Sequence, residues 1–460
     1  MPLSASLQSA LSSIFDPDAR AVDDATRAAY AYDNSRRIAL PDAVAFPTAH
    51  EQVIALVQAC REARTPLIAR GRGTNTTGAT VPDNGGIVAS FERMNRILRV
   101  EPGDRVAIVE PGVLNADLQR ALAEHGLFWP PDPTSAPYCT IGGNLACNAG
   151  GPRAVKYGAT RDYVLGMRAV AGNGESFSCG TRTTKGSVGY DLTRYLIGSE
   201  GTLALITEAT LKLTPKPSAV RTLRADYVDV DAAAEAVARI MAQPVTPCAL
   251  EFMDAAAVRL AREHGGDIPA GIGALLLVEV DGEDNALAAS VDAISHAAHV
   301  EGLVGLSMAT NTVESAMLWN ARKALSPALR TISPHKINED VVVPVSRVPQ
   351  LVARLQKLAD EYALPIVSFG HAGNGNLHVN LLPRDDAERG RAHACLAEVF
   401  KAVIELDGTL SGEHGIGTAK RDFMAHAIDA EALELMRGIK RVFDPDGILN
   451  PGKLLPDAAR

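Results

Sequence analysis

Three glycine-rich segments interrupt the first half of this chain. They are Arg70-Gly71-Arg72-Gly73-Thr74-Asn75-Thr76-Thr77-Gly78, then Cys139-Thr140-Ile141-Gly142-Gly143-Asn144 running on to Asn148-Ala149-Gly150-Gly151, then Gly198-Ser199-Glu200-Gly201-Thr202. Glycine lets main-chain N–H groups approach phosphate oxygens closely and reach positive φ. The first segment follows Pro66-Leu67-Ile68-Ala69, which reads as a buried strand. It is not the Rossmann fingerprint, because Thr76 stands where the third glycine would fall, and it lacks the Gly-Lys-Ser/Thr of a Walker loop. Taken alone it leaves an ordinary polar turn open. Three such segments together point to one extended ligand embraced by several loops, a dinucleotide rather than a mononucleotide. Pro131-Asp132-Pro133-Thr134-Ser135 leads into the second of them.

The surrounding sequence alternates short helices and strands. Thr48 and Glu51 have capping-box spacing, and Val53, Val57 and Cys60 share a helical face. Strands are expected at 86–91, 97–100 and 106–110. An amphipathic helix is expected through Leu114, Leu118 and Leu122, stopping near Gly126, with a hairpin at Asn173-Gly174. Composition shifts at Pro215-Lys216-Pro217. Beyond it, alanine-rich helical windows at 231–243 and 284–298 alternate with strands such as 274–280 in a βαβ-like pattern.

The 460 residues include 54 acidic and 45 basic ones, a balance of −9 that argues against a general nucleic-acid binder. No apolar run approaches the ~20 residues of a membrane span. The start, Met1-Pro2-Leu3-Ser4, lacks the basic and apolar regions of a signal peptide. The expectation is a soluble, cytoplasmic protein that touches the inner membrane, if at all, from its cytosolic side. The six cysteines form no Cys-x-x-Cys pair, so free thiols are expected rather than an iron–sulfur or zinc ribbon site.

The second half carries Gly370-His371-Ala372-Gly373-Asn374-Gly375-Asn376-Leu377-His378-Val379-Asn380 and, further on, Ser411-Gly412-Glu413-His414-Gly415-Ile416-Gly417. A spacing of seven is not that of a helical ligand pair, but two histidines flanking a glycine-rich turn could converge. With Glu413 as a hard oxygen ligand, the set suits Zn²⁺, Mn²⁺ or Fe²⁺. Structural histidines with satisfied hydrogen bonds remain the alternative at this point.

The glycine segments together resemble the vanillyl-alcohol-oxidase type of FAD-binding fold. The histidine segments resemble the flavin-dependent D-2-hydroxyacid dehydrogenases, the group of D-lactate, glycolate and D-2-hydroxyglutarate dehydrogenases. The resemblance implies an α+β chain: a two-part FAD-binding domain with an inserted α+β substrate (cap) domain. Its parts would be 1–215 for FAD, 216–412 for substrate and metal, and 413–460 as a helical segment returning to the FAD domain. It assigns FAD contacts to Arg70, Gly71, Arg72, Gly73, Thr74, Asn75, Gly78, Pro131, Ser135, Thr140, Ile141, Gly142, Gly143, Asn148, Gly150, Gly151, Glu200, Gly201, Ile206 and Asn450. Covalent members often carry histidine where this chain has Thr74, so non-covalent FAD is expected. A divalent metal, Zn²⁺ first and Mn²⁺ or Fe²⁺ next, would be held by His371, His378 and Glu413. Arg322, in Leu318-Trp319-Asn320-Ala321-Arg322, would clamp the substrate carboxylate. Asn380 would touch substrate, and His414 would act as base while C2–H passes as hydride to flavin N5.

Members acting on D-2-hydroxyglutarate carry a lysine shortly before a strand ending in Pro. Here the counterpart stretch is Lys336-Ile337-Asn338-Glu339-Asp340-Val341-Val342-Val343-Pro344, with Asn338 at the counted position and Lys336 two residues earlier. On a strand the two would share a face. Ser326, four after Arg322, offers a further hydroxyl. A small monocarboxylate such as D-lactate or glycolate is therefore favoured, with D-2-hydroxyglutarate next. A flavin subunit of a glycolate-oxidising electron-transfer complex and an O₂-using alcohol or sugar oxidase are further alternatives. The electron acceptor would be external: a quinone, a cytochrome or an electron-transfer flavoprotein. A homodimer is compatible with this pattern.

Overall fold

The computed structural model describes residues 3–457. The chain divides into two units. Among the described residues the first takes those up to Gly150, Gly158–Lys216, and those from Glu413 on; the second takes Gly151–Tyr157 and Pro217–Gly412.

The first unit contains two main sheets. A four-stranded sheet runs Arg20–Ala21, Ala43–Ala45, Ile87–Ser90, Leu67–Arg70; its first pair is antiparallel and the others are parallel. The helices Ala5–Ile14 and His50–Glu62 cover it, burying Leu7, Leu11, Val53, Leu56, Val57 and Cys60. A five-stranded antiparallel sheet runs Ile97–Glu101, Val106–Val109, Ala204–Lys212, Val164–Ala171, Ser176–Gly180. Asn173-Gly174 closes the hairpin between its last two strands, with Gly174 at φ 84°. A second core of Leu118, Leu122, Trp129, Leu145, Leu196 and Leu211 packs on this sheet.

The capping box at Thr48 and Glu51 is not formed. The helix starts at His50 with Ala49 as its N-cap. Gln52 reaches back instead, its Oε1 accepting from Thr48 N at 2.8 Å and Thr48 Oγ1 at 3.1 Å. The start moved one residue because a glutamine one position later can make the same return bond.

The second unit is a seven-stranded sheet in the order Leu303–Met308, Ala219–Tyr227, Ala274–Gly282, Ala249–Met253, Ile366–Gly370, Asn376–Leu381, Ile337–Val342. Every neighbouring pair is antiparallel, yet Ala219–Tyr227 and Ala249–Met253 run in the same sense with Ala274–Gly282 between them, so the βαβ-like pattern is present without direct pairing of its two strands. The connection is a split βαβ unit, in which the helix Val230–Ala242 joins two strands of the same sense and a third strand fills the gap between them. The helix Thr312–Ile332 packs on the sheet through Leu325, Ala328 and Leu329.

The excursion Gly151–Tyr157 is tied into this unit by polar contacts. Lys156 Nζ donates to Asp281 O at 3.0 Å and to its carboxylate, and Tyr157 OH donates to Asp281 Oδ2 at 2.7 Å. Among the described residues no helix is long and apolar enough to cross a membrane, and all six cysteines are free thiols.

Candidate functional site

In the first unit the glycine segments converge. Gly71 lies against Thr140, so close that a Cβ there would overlap Thr140 Oγ1. Thr140 caps the short helix Ile141–Cys147 by accepting from Gly143 N at 3.2 Å. Gly142 backs onto Pro111, where a Cβ would lie 2.7 Å from Pro111 Cβ. Arg70 is turned beneath the loop: its Nη1 donates to Tyr32 O at 2.7 Å and Thr80 Oγ1 at 3.2 Å. Asn75 braces the loop. Its Oδ1 accepts from Thr77 N at 2.8 Å, and its Nδ2 donates to His414 O at 2.8 Å. Arg72 is half exposed beside Glu92, 3.5 Å away.

Glu200 ties the third segment to the C-terminal part of the same unit. Its carboxylate accepts from Ile416 N at 2.6 Å and Gly417 N at 2.8 Å. Burial pushes its carboxyl up to about 7, against those amides and the charges of Lys420 and Lys453. Residues 448–450 then run beside the strand Leu67–Arg70, with Leu67 N bonded to Ile448 O at 2.8 Å and Asn450 N to Leu67 O at 2.9 Å. Asn450 Nδ2 donates to Ala79 O at 2.8 Å and Glu200 O at 2.7 Å. The buried Asn450 Oδ1 and Thr76 Oγ1 have no protein partner. Two orphaned polar atoms among close-approaching glycines fit an extended dinucleotide that supplies the missing hydrogen bonds.

Ile206 lies on the strand Ala204–Lys212, opposite Ala169. Pro131 O accepts from Asn115 Nδ2 at 3.1 Å, and Ser135 O accepts from the amides of Tyr138 and Cys139. Asn148 adopts a left-handed conformation after the Ile141–Cys147 helix. Gly151 belongs to the second unit.

In the second unit His371 and His378 come together. Both are buried, their rings meet edge to face at 5.1 Å, and the two Nε2 atoms are 3.4 Å apart. Two nitrogens ~2.05 Å from one point would subtend about 110° at that separation, close to tetrahedral. The chain leaves this unit at Gly412, whose amide donates to Asp340 Oδ2 at 2.9 Å, and Glu413 is the next residue. Ligand atoms of His371, His378 and Glu413 lie within 4.8 Å of one another. Two imidazole nitrogens and one carboxylate oxygen form a donor set that fits Zn²⁺, Mn²⁺ or Fe²⁺.

Arg322 lies in the same unit, 9% exposed, with Cζ 4.5 Å from the Phe369 ring centroid. Phe369 pairs with His378 across neighbouring strands. Lys336 Nζ donates to Ser326 Oγ at 3.3 Å, one turn after Arg322. Lys336 precedes the strand Ile337–Val342, so strand alternation does not govern its direction, contrary to expectation. Asn338 pairs with Asn380 across the ladder, and both Oδ1 atoms are buried without a partner, as is Arg322 Nε. Trp319 Nε1 donates to Glu279 Oε1 at 2.5 Å.

Sequence reasoning missed Glu251. It is 1% exposed on the strand Ala249–Met253. Its Oε1 meets His371 Nδ1, and its Oε2 lies 2.8 Å from Arg322 Nη2, an ion pair off the hydrogen-bond angle. Burial alone would raise its carboxyl, but His371 and Arg322 outweigh that and hold it at about 2. The available signal was one carboxylate inside the apolar run Ala249-Leu250-Glu251-Phe252-Met253.

Comparison with known proteins agrees with this architecture. The family described as FAD linked oxidases, C-terminal domain, matches residues 216–454, and the FAD binding domain family matches 41–180. The glycolate oxidase subunit GlcD of Bacillus subtilis is 39% identical, over 95% of this chain and 94% of that protein. A D-lactate dehydrogenase of Anaerostipes hadrus is 36% identical over 90% of each. A D-2-hydroxyglutarate dehydrogenase of Stutzerimonas stutzeri is 34% identical over 96% of this chain and 97% of that one. In fold the chain matches p-cresol methylhydroxylase with a TM-score of 0.80 at 18% identity, over 98% of this chain and 97% of that one. An FAD-binding unit with converging glycine loops, followed by the matching C-terminal domain, identifies the chain as a member of the FAD-linked oxidases, with the vanillyl-alcohol-oxidase type of fold.

Proposed function

We propose that this chain is an FAD- and divalent-metal-dependent dehydrogenase that oxidises a D-2-hydroxy acid, glycolate or D-lactate first, to the 2-oxo acid. The observation carrying this reading is the cluster of His371, His378 and Glu413, with the buried guanidinium of Arg322 in the same unit as both histidines. Non-covalent FAD, when bound, supplies the acceptor for the C2 hydride. A divalent ion, when bound, supplies a Lewis acid that lowers the hydroxyl pKa. Arg322 orients the substrate carboxylate, since a guanidinium fork matches it bidentately. The Asn380 amide, whose Oδ1 has no protein partner, hydrogen-bonds the acid. His414 takes the hydroxyl proton. Names of the similar proteins support the substrate class: glycolate, D-lactate and D-2-hydroxyglutarate all present a carboxylate beside the carbon that is oxidised. Electrons then leave for an external acceptor, a quinone, a cytochrome or an electron-transfer flavoprotein, and the GlcD likeness favours work as one subunit of an assembly.

One contact favours a second reading. Lys336 beside Ser326 puts a cation one helical turn from Arg322, which suits the distal carboxylate of D-2-hydroxyglutarate. Anaerobic mixing of the flavoprotein with glycolate, D-lactate, L-lactate and D-2-hydroxyglutarate separates the readings. Fast flavin bleaching by glycolate or D-lactate is expected, with chelator abolishing it. Bleaching by none of the four would reject the class.

A further inference from the structure

Glu251 has no role in the reading above, yet it touches two residues that do. The ladder pairing Phe252 with Gly370 and Met253 with Phe369 puts Glu251 opposite His371. The strand carrying Glu251 lies inside the seven-stranded sheet, and all five of its residues are buried. Neither partner is therefore a mobile surface group.

We infer that Glu251 is a positioning residue: one buried carboxylate fixes His371 through Nδ1 and Arg322 through Nη2. A carboxylate facing Nδ1 accepts the proton held there, which leaves the Nε2 lone pair on the side of His378 Nε2, 3.4 Å away. The same carboxylate holds one edge of the Arg322 guanidinium, while the Phe369 ring lies beneath it. Arg322 Nε is left without a protein partner. A single acid thus sets the face of a metal ligand and the direction of a carboxylate-binding group. A metal ligand's hydrogen-bond partner is typically worth ~10–100-fold in metal affinity.

This inference rests on the metal reading, so the test measures wild type and variants together. Metal-free holo-flavoprotein is titrated with Zn²⁺ against a chromophoric chelator, and with Co²⁺ by its visible absorption. Glu251→Gln, nearly the same shape, is expected to bind Zn²⁺ ~10–100-fold more weakly and to show an altered Co²⁺ spectrum. Glu251→Asp keeps the charge on a shorter arm and is expected to fall between wild type and Gln. Melting of the metal-free proteins checks that each variant folds; if the Gln variant does not, the Asp variant alone must still bind more weakly than wild type. Wild-type affinity in both folded variants, or weaker binding by Asp than by Gln, overturns the inference while the metal reading stands. A wild type that takes up neither ion overturns the metal reading as well.

Discussion

Arg322 makes a buried ion pair with Glu251 and stacks on Phe369, so its guanidinium is held before any substrate arrives. Preorganisation of this kind lowers the entropy lost on binding. Arg322→Lys keeps the charge but loses the planar fork. It should raise KM for the hydroxy acid by about 10–100-fold, equivalent to ~1.4–2.8 kcal/mol. Arg322→Ala leaves the buried Glu251 carboxylate beside the His371 imidazole without its guanidinium and should also lower the melting temperature, since breaking a buried pair costs ~3–5 kcal/mol. Steady-state kinetics and thermal melting read the two effects, and an unaltered KM in the lysine variant would refute the clamp. Lys336 gives a sharper test of substrate. Lys336→Met should weaken D-2-hydroxyglutarate by about tenfold or more relative to D-lactate if the distal carboxylate is gripped there. Equal changes for both acids would assign Lys336 to structure. At this scale the sequence was readable where chemistry is carried by rare types at marked spacing, as with His371 and His378. It was not readable for Glu251, whose meaning depends on which strand lies beside it.

Elements impose their own demands. Asp254 caps the helix Ala255–Glu263 through Ala257 N, and its other oxygen accepts from Ser368 N at the neighbouring strand. Burial lifts its carboxyl from 3.8 to about 6, although both amides favour the charged form. The folded chain therefore retains this proton to higher pH than the unfolded chain. The linked stability is full below 3.8 and is lost as pH rises through about 6. Asp254→Asn still caps but does not titrate. Its stability relative to wild type should rise by up to ~3 kcal/mol between about pH 4 and about pH 7, read from urea midpoints. A difference that stays flat with pH would reject this account. Helix and strand positions were largely legible from periodicity: the expected 284–298 helix is Asp284–Ala298, and the Asn173-Gly174 turn closes its hairpin. Strand order was not, because nothing in the patterning of Ala219–Tyr227 and Ala249–Met253 says that Ala274–Gly282 inserts between them. Thr48 shows a smaller failure, where Gln52 won the competition for the same backbone group.

Across the whole chain, sequence neighbours separate and distant segments join. The excursion Gly151–Tyr157 follows the second glycine segment directly, yet belongs to the other unit through Lys156, Tyr157 and Asp281. No local pattern announces such a change, since the partner of Lys156 lies 125 positions away. The C-terminus shows the converse. Residues 448–450 return to the strand before the first glycine loop, a join carried by Asp444, which accepts from Ile448 N at 3.1 Å and Leu449 N at 2.8 Å. Asn450 completes it, cross-linking Ala79 at the end of the first loop with Glu200 in the third. Asn450→Ala leaves two buried carbonyls short of a donor, which should cost ~2–4 kcal/mol at ~1–2 kcal/mol per group. It also removes Oδ1, the orphaned acceptor that suits a flavin donor. The variant should therefore fold with a lower melting temperature and release FAD on dialysis far more readily than wild type, seen as flavin absorbance lost from the protein fraction. Asn450→Asp restores an acceptor but not the donor that bridges the loops. If the bridge matters more than the acceptor, the aspartate variant will lose FAD as alanine does; if Oδ1 alone matters, it will retain it. Full FAD retention by both variants, at wild-type melting temperature, would mean that the loops are held together without this residue.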